Sequence, residues 1–270
     1  MATKSSSERK QADVASRTAP PGDVVYEAIY REGQHELKRG TSALGLSGLA
    51  AGLSMGTSLL TEGLLHAHLP DTPWRPLITK FGYSLGFLIV ILGRQQLFTK
   101  NTLTVILPLL KEKKLSVLVN VTRLWAIVLF ANLIGAFIFA WLLAHTSLVT
   151  AEVHKAFLEI ATAGQQPDFG TVLMRGALAG WLIALMVWLL PFAETARVWV
   201  IIIIGYLVGI ADLPHVVAGN VENFYLLTRG AISFSHAMGH FLLPALIGNV
   251  IGGVALVAVG AHAEFTAAED

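Results

Sequence analysis

Six apolar blocks, most of them near the length of one bilayer crossing, leave this chain few ways to fold. They fall at about 41–65, 77–110, 118–144, 172–192, 198–227 and 232–259. Roughly 20 apolar residues in a helix span the ~30 Å of bilayer hydrocarbon. Among 270 residues, 54% are hydrophobic and only 14% charged, whereas soluble domains carry about a quarter charged residues. The expected class is therefore an all-α polytopic membrane protein with six transmembrane helices.

The flanks are different. Residues 1–22 are polar and lack an apolar signal segment, so they read as a disordered cytoplasmic tail. Residues 23–40 mix apolar and charged positions and predict an amphipathic helix on the membrane surface. The transport domain is expected over 41–262, with a short cytoplasmic tail at 263–270. A net charge of +1 argues against a nucleic-acid partner, and the lack of cysteine removes disulfides and thiolate chemistry.

Two blocks are interrupted in mid-membrane. The second holds Gly93-Arg94-Gln95-Gln96, and the fifth holds Gly209-Ile210-Ala211-Asp212-Leu213-Pro214-His215. Irregular backbone at that depth is tolerated where it is buried or lines a cavity. Matching interruptions in two halves point to a transport site. The halves share more: Asn132-Leu133-Ile134-Gly135 closes one, and Asn249-Val250-Ile251-Gly252 closes the other. Thr99 lies 33 residues before Asn132, and His215 lies 34 before Asn249. Three crossings per half require opposite topology, so repeats at about 41–146 and 171–262 are expected to be inverted. Lysine and arginine then set the orientation. An inside N-terminus places 12 of these residues on inner segments and five on outer ones, with both termini cytoplasmic. Glycines at four-residue spacing (Gly48, Gly52 and Gly56; Gly82 and Gly86; Gly205 and Gly209; Gly248 and Gly252) allow close helix approach, within one protomer or between protomers.

Most histidines have plain explanations. His66, His68, His145 and His154 fall at membrane edges, and His236 with His240 forms one HxxxH pair. A membrane di-iron enzyme needs several such boxes, and a zincin needs a Glu after the first His, where this chain has Ala237. No metal and no cofactor are expected.

His215 is singled out by its place in a break, since an ionisable side chain in hydrocarbon is costly and by default functional. Pro214 suits the first turn of a half-helix, which sets His215 near free N–H groups and a favourable dipole for an anion. Asp212 could cap that half-helix or hold the imidazole. Arg94, in the other break, is either a structural clamp or a fixed charge that draws anions. Thr99 offers a hydroxyl to a solute that has shed water, and Phe98 and Phe87 could narrow the path. Glu222 reads as paired or at an aqueous end.

Ser84-Leu85-Gly86 through Gly93, Leu97-Phe98-Thr99, Asn132-Leu133-Ile134-Gly135-Ala136, the fifth-block histidine and Gly248-Asn249-Val250-Ile251-Gly252-Gly253 together resemble the formate/nitrite transporter family. That resemblance covers nearly everything after residue 23. It implies a homopentamer with one pore per protomer, an aquaporin-like inverted repeat with broken second and fifth helices, and a bacterial inner-membrane location. It also implies a pore threonine and a central histidine, matched by Thr99 and His215, between two apolar constrictions. Leu97 and Phe98 fit one constriction, Phe87 stands where the family has leucine, and Val208 replaces a bulkier residue in the other. The chain departs from the pattern at Gln96, which replaces an acid, and at Gly180, which replaces an asparagine. Gly219 also replaces an asparagine, with Asn220 one step on. Gly164 falls near the family's vestibule lysine, and Arg94 is atypical of formate or nitrite members.

The expected function is passage of small monovalent anions or their conjugate weak acids. A bare anion pays heavily to enter a dry constriction, and proton sharing with His215 would neutralise it. Two alternatives stand beside this reading: a water- or glycerol-like neutral channel, although the paired Asn-Pro-Ala caps are missing, and a divergent member that no longer transports. An enzyme is disfavoured, because no nucleophile–base set, metal box or membrane carboxylate dyad is evident.

Overall fold

The computed structural model describes Ser7, residues 21–165 and residues 167–267. Most of the expected N-terminal tail, and residues 268–270, lie outside the described residues. Eleven helical segments organise the rest. α1 is Gly22–Leu37, α2 Thr41–His68, α3 Arg75–Leu92, α4 Asn101–Thr104, α5 Ile106–Glu112 and α6 Leu115–His145. α7 is Ala151–Ala163, α8 Phe169–Leu189, α9 Arg197–Ile210, α10 Ala218–Thr228 and α11 Phe234–Glu264, which continues in helix to Ala267.

Five of these (α2, α3, α6, α8 and α11) are long and apolar enough to cross a membrane. The remaining crossing is made in two pieces. At 14 and 11 residues, α9 and α10 are each shorter than a bilayer at 1.5 Å per residue, and together they make one broken span. The second span is broken in the same way, between α3 and the short α4–α5 pair. Six crossings in an all-helical fold with two discontinuous helices agree with expectation.

Local chemistry accounts for the ends. Asp168 caps α8 by accepting the Thr171 N–H at 3.1 Å, and that hydrogen bond holds its carboxyl below the ordinary value. Gly230, at φ +70°, ends α10 in the left-handed conformation that glycine tolerates.

The inverted repeat is written in packing. α2 lies against α6, and α8 lies against α11. Gly52 and Gly180 occupy matching places at these crossings. A Cβ on either would overlap the backbone oxygen of the facing asparagine, Asn132 or Asn249. The half-helices then cross to the other repeat: α4 packs on α8 and α11, and α10 packs on α2 and α6.

The two breaks superimpose in hydrogen bonding. α3 ends with the Gln95 N–H donating to Val90 O at 2.9 Å and the Arg94 N–H to Ile91 O at 3.1 Å. α9 ends with the Leu213 N–H donating to Val208 O at 3.0 Å and the Asp212 N–H to Gly209 O at 3.1 Å. Both are Schellman ends with the turning residue left-handed, Arg94 at φ 50° and Asp212 at φ 46°. Glycine is usual there, and a side chain costs roughly 1 kcal/mol. Beyond each turn an asparagine brackets the unwound segment. Asn132 Nδ2 donates to Gly48 O (2.7 Å) and Gln96 O (2.8 Å), while its Oδ1 accepts from the Phe98 N–H (2.9 Å). Asn249 Nδ2 donates to Gly176 O (2.9 Å) and Pro214 O (2.9 Å), while its Oδ1 accepts from the Val216 N–H (2.8 Å).

These brackets correct the register read from sequence. Gln96 matches Pro214 and Phe98 matches Val216, so Leu97, not Thr99, is the repeat equivalent of His215.

α1 also differs from a helix lying on lipid. Its apolar face, with Val25, Tyr26 and Ile29, is covered by α4, α5, α6 and the end of α11. Gly33 lets it sit directly against the Thr104 carbonyl. The Tyr26 hydroxyl lies 2.8 Å from His262 Nδ1, so both described ends of the chain are on one side. α7 was not anticipated; Phe157 fills the notch at Gly63 of α2.

Each bracket asparagine satisfies three buried groups, so Asn249→Ala should cost about 3 kcal/mol and lower the thermal unfolding midpoint in detergent. Arg94→Gly should instead raise that midpoint by relieving the left-handed turn. A calorimetric or fluorescence melt of the two variants checks both.

Candidate functional site: a buried His–Thr pair between two vestibules

The centre of the site is where the two breaks meet. His215 and Thr99 are both fully buried, and His215 Nε2 is 2.8 Å from Thr99 Oγ1. The other ring nitrogen decides the tautomer. His215 Nδ1 faces the backbone N–H groups of Val217 (3.3 Å) and Ala218 (3.1 Å). A backbone N–H can only donate, so Nδ1 is an acceptor and the proton of the neutral ring sits on Nε2. Nε2–H therefore donates to Thr99 Oγ1, which leaves the threonine's own hydrogen as a donor for a third group. His215 is the cap of the half-helix that it begins.

This changes what the half-helix N-terminus offers. The Val216 N–H goes to Asn249, those of Val217 and Ala218 to the imidazole, and that of Gly219 to His215 O at 2.9 Å. The free N–H groups expected for an anion are already used. The polar donor left at the centre is the histidine–threonine pair.

Apolar residues close around it. Phe87 meets the imidazole edge-on, with centroids 4.9 Å apart. Leu97, Phe87 and Val208 are fully buried. Phe98 is buried against Trp125 of α6, with centroids 5.5 Å apart. Three residues expected at the site serve the framework instead. Asp212 neither caps the half-helix nor touches the imidazole; it ends α9, with its carboxylate exposed and 3.1 Å from Lys80 Nζ. Asn220 Nδ2 donates to Val216 O at 2.6 Å. Gln96 donates to Glu36 Oε2 of α1 at 2.7 Å and accepts from Asn101. The acid missing beside Leu97 is thus supplied from a distant segment, which sequence spacing could not show.

One cavity lies at each break. One, of about 350 Å³, is lined by Lys80, Tyr83, Gly164, Arg175, Val208, Asp212, His215 and Glu222. The other, of about 360 Å³, is lined by Glu32, Arg94, Gln95, Lys100 and Arg197. Arg94 is exposed in this second vestibule, away from His215. Lys80 reaches the first vestibule from α3, on the side where Gly164 leaves room, and Glu62 of α2 lies 2.7 Å from it. Neither Lys80 nor Glu62 was singled out in sequence, because an acid and a lysine 18 residues apart carry no motif.

Two water-accessible vestibules, a dry waist and one polar pair define a membrane channel or transporter. Comparison with known proteins narrows this. The formate/nitrite transporter family model matches residues 23–263, and the chain belongs to that family. It is 38% identical over 241 residues to inner membrane protein YfdC of Escherichia coli, covering 89% of this chain and 78% of that one. Its fold is similar to an FNT family ion channel (TM-score 0.75, 21% identity, 88% of this chain and 97% of that one). It is also similar to a pentameric formate channel with formate bound (TM-score 0.69, 18% identity, 84% and 98%).

Nitrogen-15 NMR of histidine-labelled protein should show His215 with a bare Nδ1 and a protonated Nε2. His215→Asn, which can still cap, should melt closer to wild type than His215→Phe, which strands two N–H groups.

Proposed function

We propose that this chain forms a homopentameric channel in which each protomer conducts a small monovalent anion, or its weak acid, through the waist at His215 and Thr99. The carrying observation is the hydrogen-bonded His215–Thr99 pair, fully buried among apolar side chains and reached by the cavity on the Lys80 side. A small solute that has lost its water on entry meets the hydroxyl hydrogen of Thr99, which the bond from the imidazole leaves available to donate. Family membership and the five-fold assembly of a structurally similar formate channel support the substrate class and the pentamer. Arg94 and Arg197 give the vestibule beside α1 a cationic surface that concentrates anions, while Lys100 is paired with Glu32 at 2.6 Å. The excess of lysine and arginine on the same side makes it the cytoplasmic one.

Proton sharing by the histidine takes a restricted form here. A second proton on the ring would go to Nδ1 and would break two hydrogen bonds at the half-helix cap. His215 therefore acts as a neutral donor that orients Thr99, and the permeating acid's proton comes from elsewhere.

The test is uptake of formate, nitrite, acetate, lactate and glycerol into proteoliposomes. Wild type should pass a small weak acid and exclude glycerol, and Thr99→Val should reduce flux at least tenfold while the protein stays folded. Glycerol permeation without acid flux would favour a neutral channel. No flux of any solute would favour a non-transporting member.

A further inference from the structure

The two vestibules differ in charge. Against the cationic one beside α1, the vestibule on the Lys80 side gathers three carboxyl groups around one ammonium. Lys80 Nζ lies 2.7 Å from Glu62 Oε1 and 3.1 Å from Asp212 Oδ1, and Glu222 lines the same cavity and acts on Lys80 electrostatically. Glu62 is 1% exposed, and its Oε2 has no hydrogen-bond partner. A fully ionised carboxylate in that state is unusual, because each buried lone pair normally finds a donor. Glu222 faces the position of Gly164, whose absent side chain leaves its Oε2 unopposed; a Cβ there would stand 3.3 Å away.

We propose that Glu62, Lys80, Asp212 and Glu222 form a proton-loading site, and that the pore admits a weak-acid anion from the Lys80 side only after this site has bound a proton. The inference rests on the channel reading above. Lys80 and, at the rim, Arg175 offset two of the three negative charges, and the one left over stands beside the path to His215. Protonation forms an O–H bond on a cluster carboxylate, with the proton delivered by hydronium in the vestibule, which leaves as neutral water, and removes that charge. Glu222 is the natural acceptor, since it lines the cavity and no lysine reaches it directly. Glu62, with its unpartnered oxygen, shares the load through Lys80.

Other charged or titratable groups that face the cluster are few. α2 adds His66, which acts on Glu62 and is itself 2.9 Å from Glu159 Oε2 of α7. α3 adds the Tyr83 phenol and α8 adds exposed Arg175 at the rim. The half-helix adds His215, whose Nδ1 is already engaged. α11 presents His236 and His240, both turned to Gln165. Arg175 lowers the surplus without abolishing it.

The experiment uses right-side-out and inverted vesicles carrying the full chain, with pH set separately on the two faces and labelled formate as the probe. Entry from the Lys80 face should rise steeply as pH on that face falls, beyond the rise due to the formic acid fraction alone. Entry from the Arg94 face should follow that fraction only. Glu222→Gln should raise Lys80-face entry at neutral pH on the order of fivefold and flatten its pH profile. Glu62→Gln should do so more weakly. Equal profiles on both faces, unchanged in both variants, would overturn the proposal. A second readout needs no transport: infrared pH titration of purified protein should show a protonated-carboxyl band that shrinks in Glu222→Gln. If no vesicle takes up formate but the band behaves in this way, the proton site stands and the channel reading fails. If formate moves and the band is unaffected by either variant, the channel stands and the proton site fails.

Discussion

Everything in this molecule depends on pairing the backbone where two helices are broken inside a region that water does not supply. An unwound segment at membrane depth exposes donors and acceptors that cost several kcal/mol each if left alone. Asn132 and Asn249 meet that demand with one carboxamide each, donating twice and accepting once. Their reach requires helices in near contact, which is why Gly52 and Gly180 stand opposite them. Gly52 and Gly180 thus serve the brackets within one protomer.

With the breaks secured, function follows from how the second half-helix is capped. An aspartate would cap by accepting N–H groups, with no hydrogen to donate and with a charge to bury. Histidine accepts with Nδ1 and still donates with Nε2. That lets one residue end the irregular segment, fix Thr99 and remain neutral in a dry place. Leu97 stands at the matching position in the first repeat, so the pseudo-symmetry of the backbone is broken where the chemistry is needed.

The vestibules show a second division of labour. Proton chemistry that the centre resists, because its acceptor nitrogen is committed, is available at the wet mouth where Glu62, Lys80 and Glu222 gather. The opposite mouth is cationic. An asymmetric pair of entrances built on a nearly symmetric repeat lets each face of the pathway respond to pH in its own way.

Apolar block length, the two interruptions and the repeated Asn-x-Ile-Gly pointed to six crossings, two broken helices and an inverted repeat, because hydrocarbon thickness and backbone satisfaction act on local sequence. His215 and Thr99 were legible for the same reason: a titratable or polar residue beside a break in hydrocarbon has few structural uses. Resemblance to known transporters, and not spacing alone, pointed to the substrate class. Tertiary structure decided the rest. It moved Asp212 off the histidine, used up the half-helix N–H groups, and folded α1 onto the pore so that Glu36 reaches Gln96. It also shifted the repeat register by two residues and assembled Glu62, Lys80, Asp212 and Glu222 from three helices and a turn. Those contacts join residues up to 132 positions apart, and nothing in local periodicity records which distant side chain will share a cavity with another.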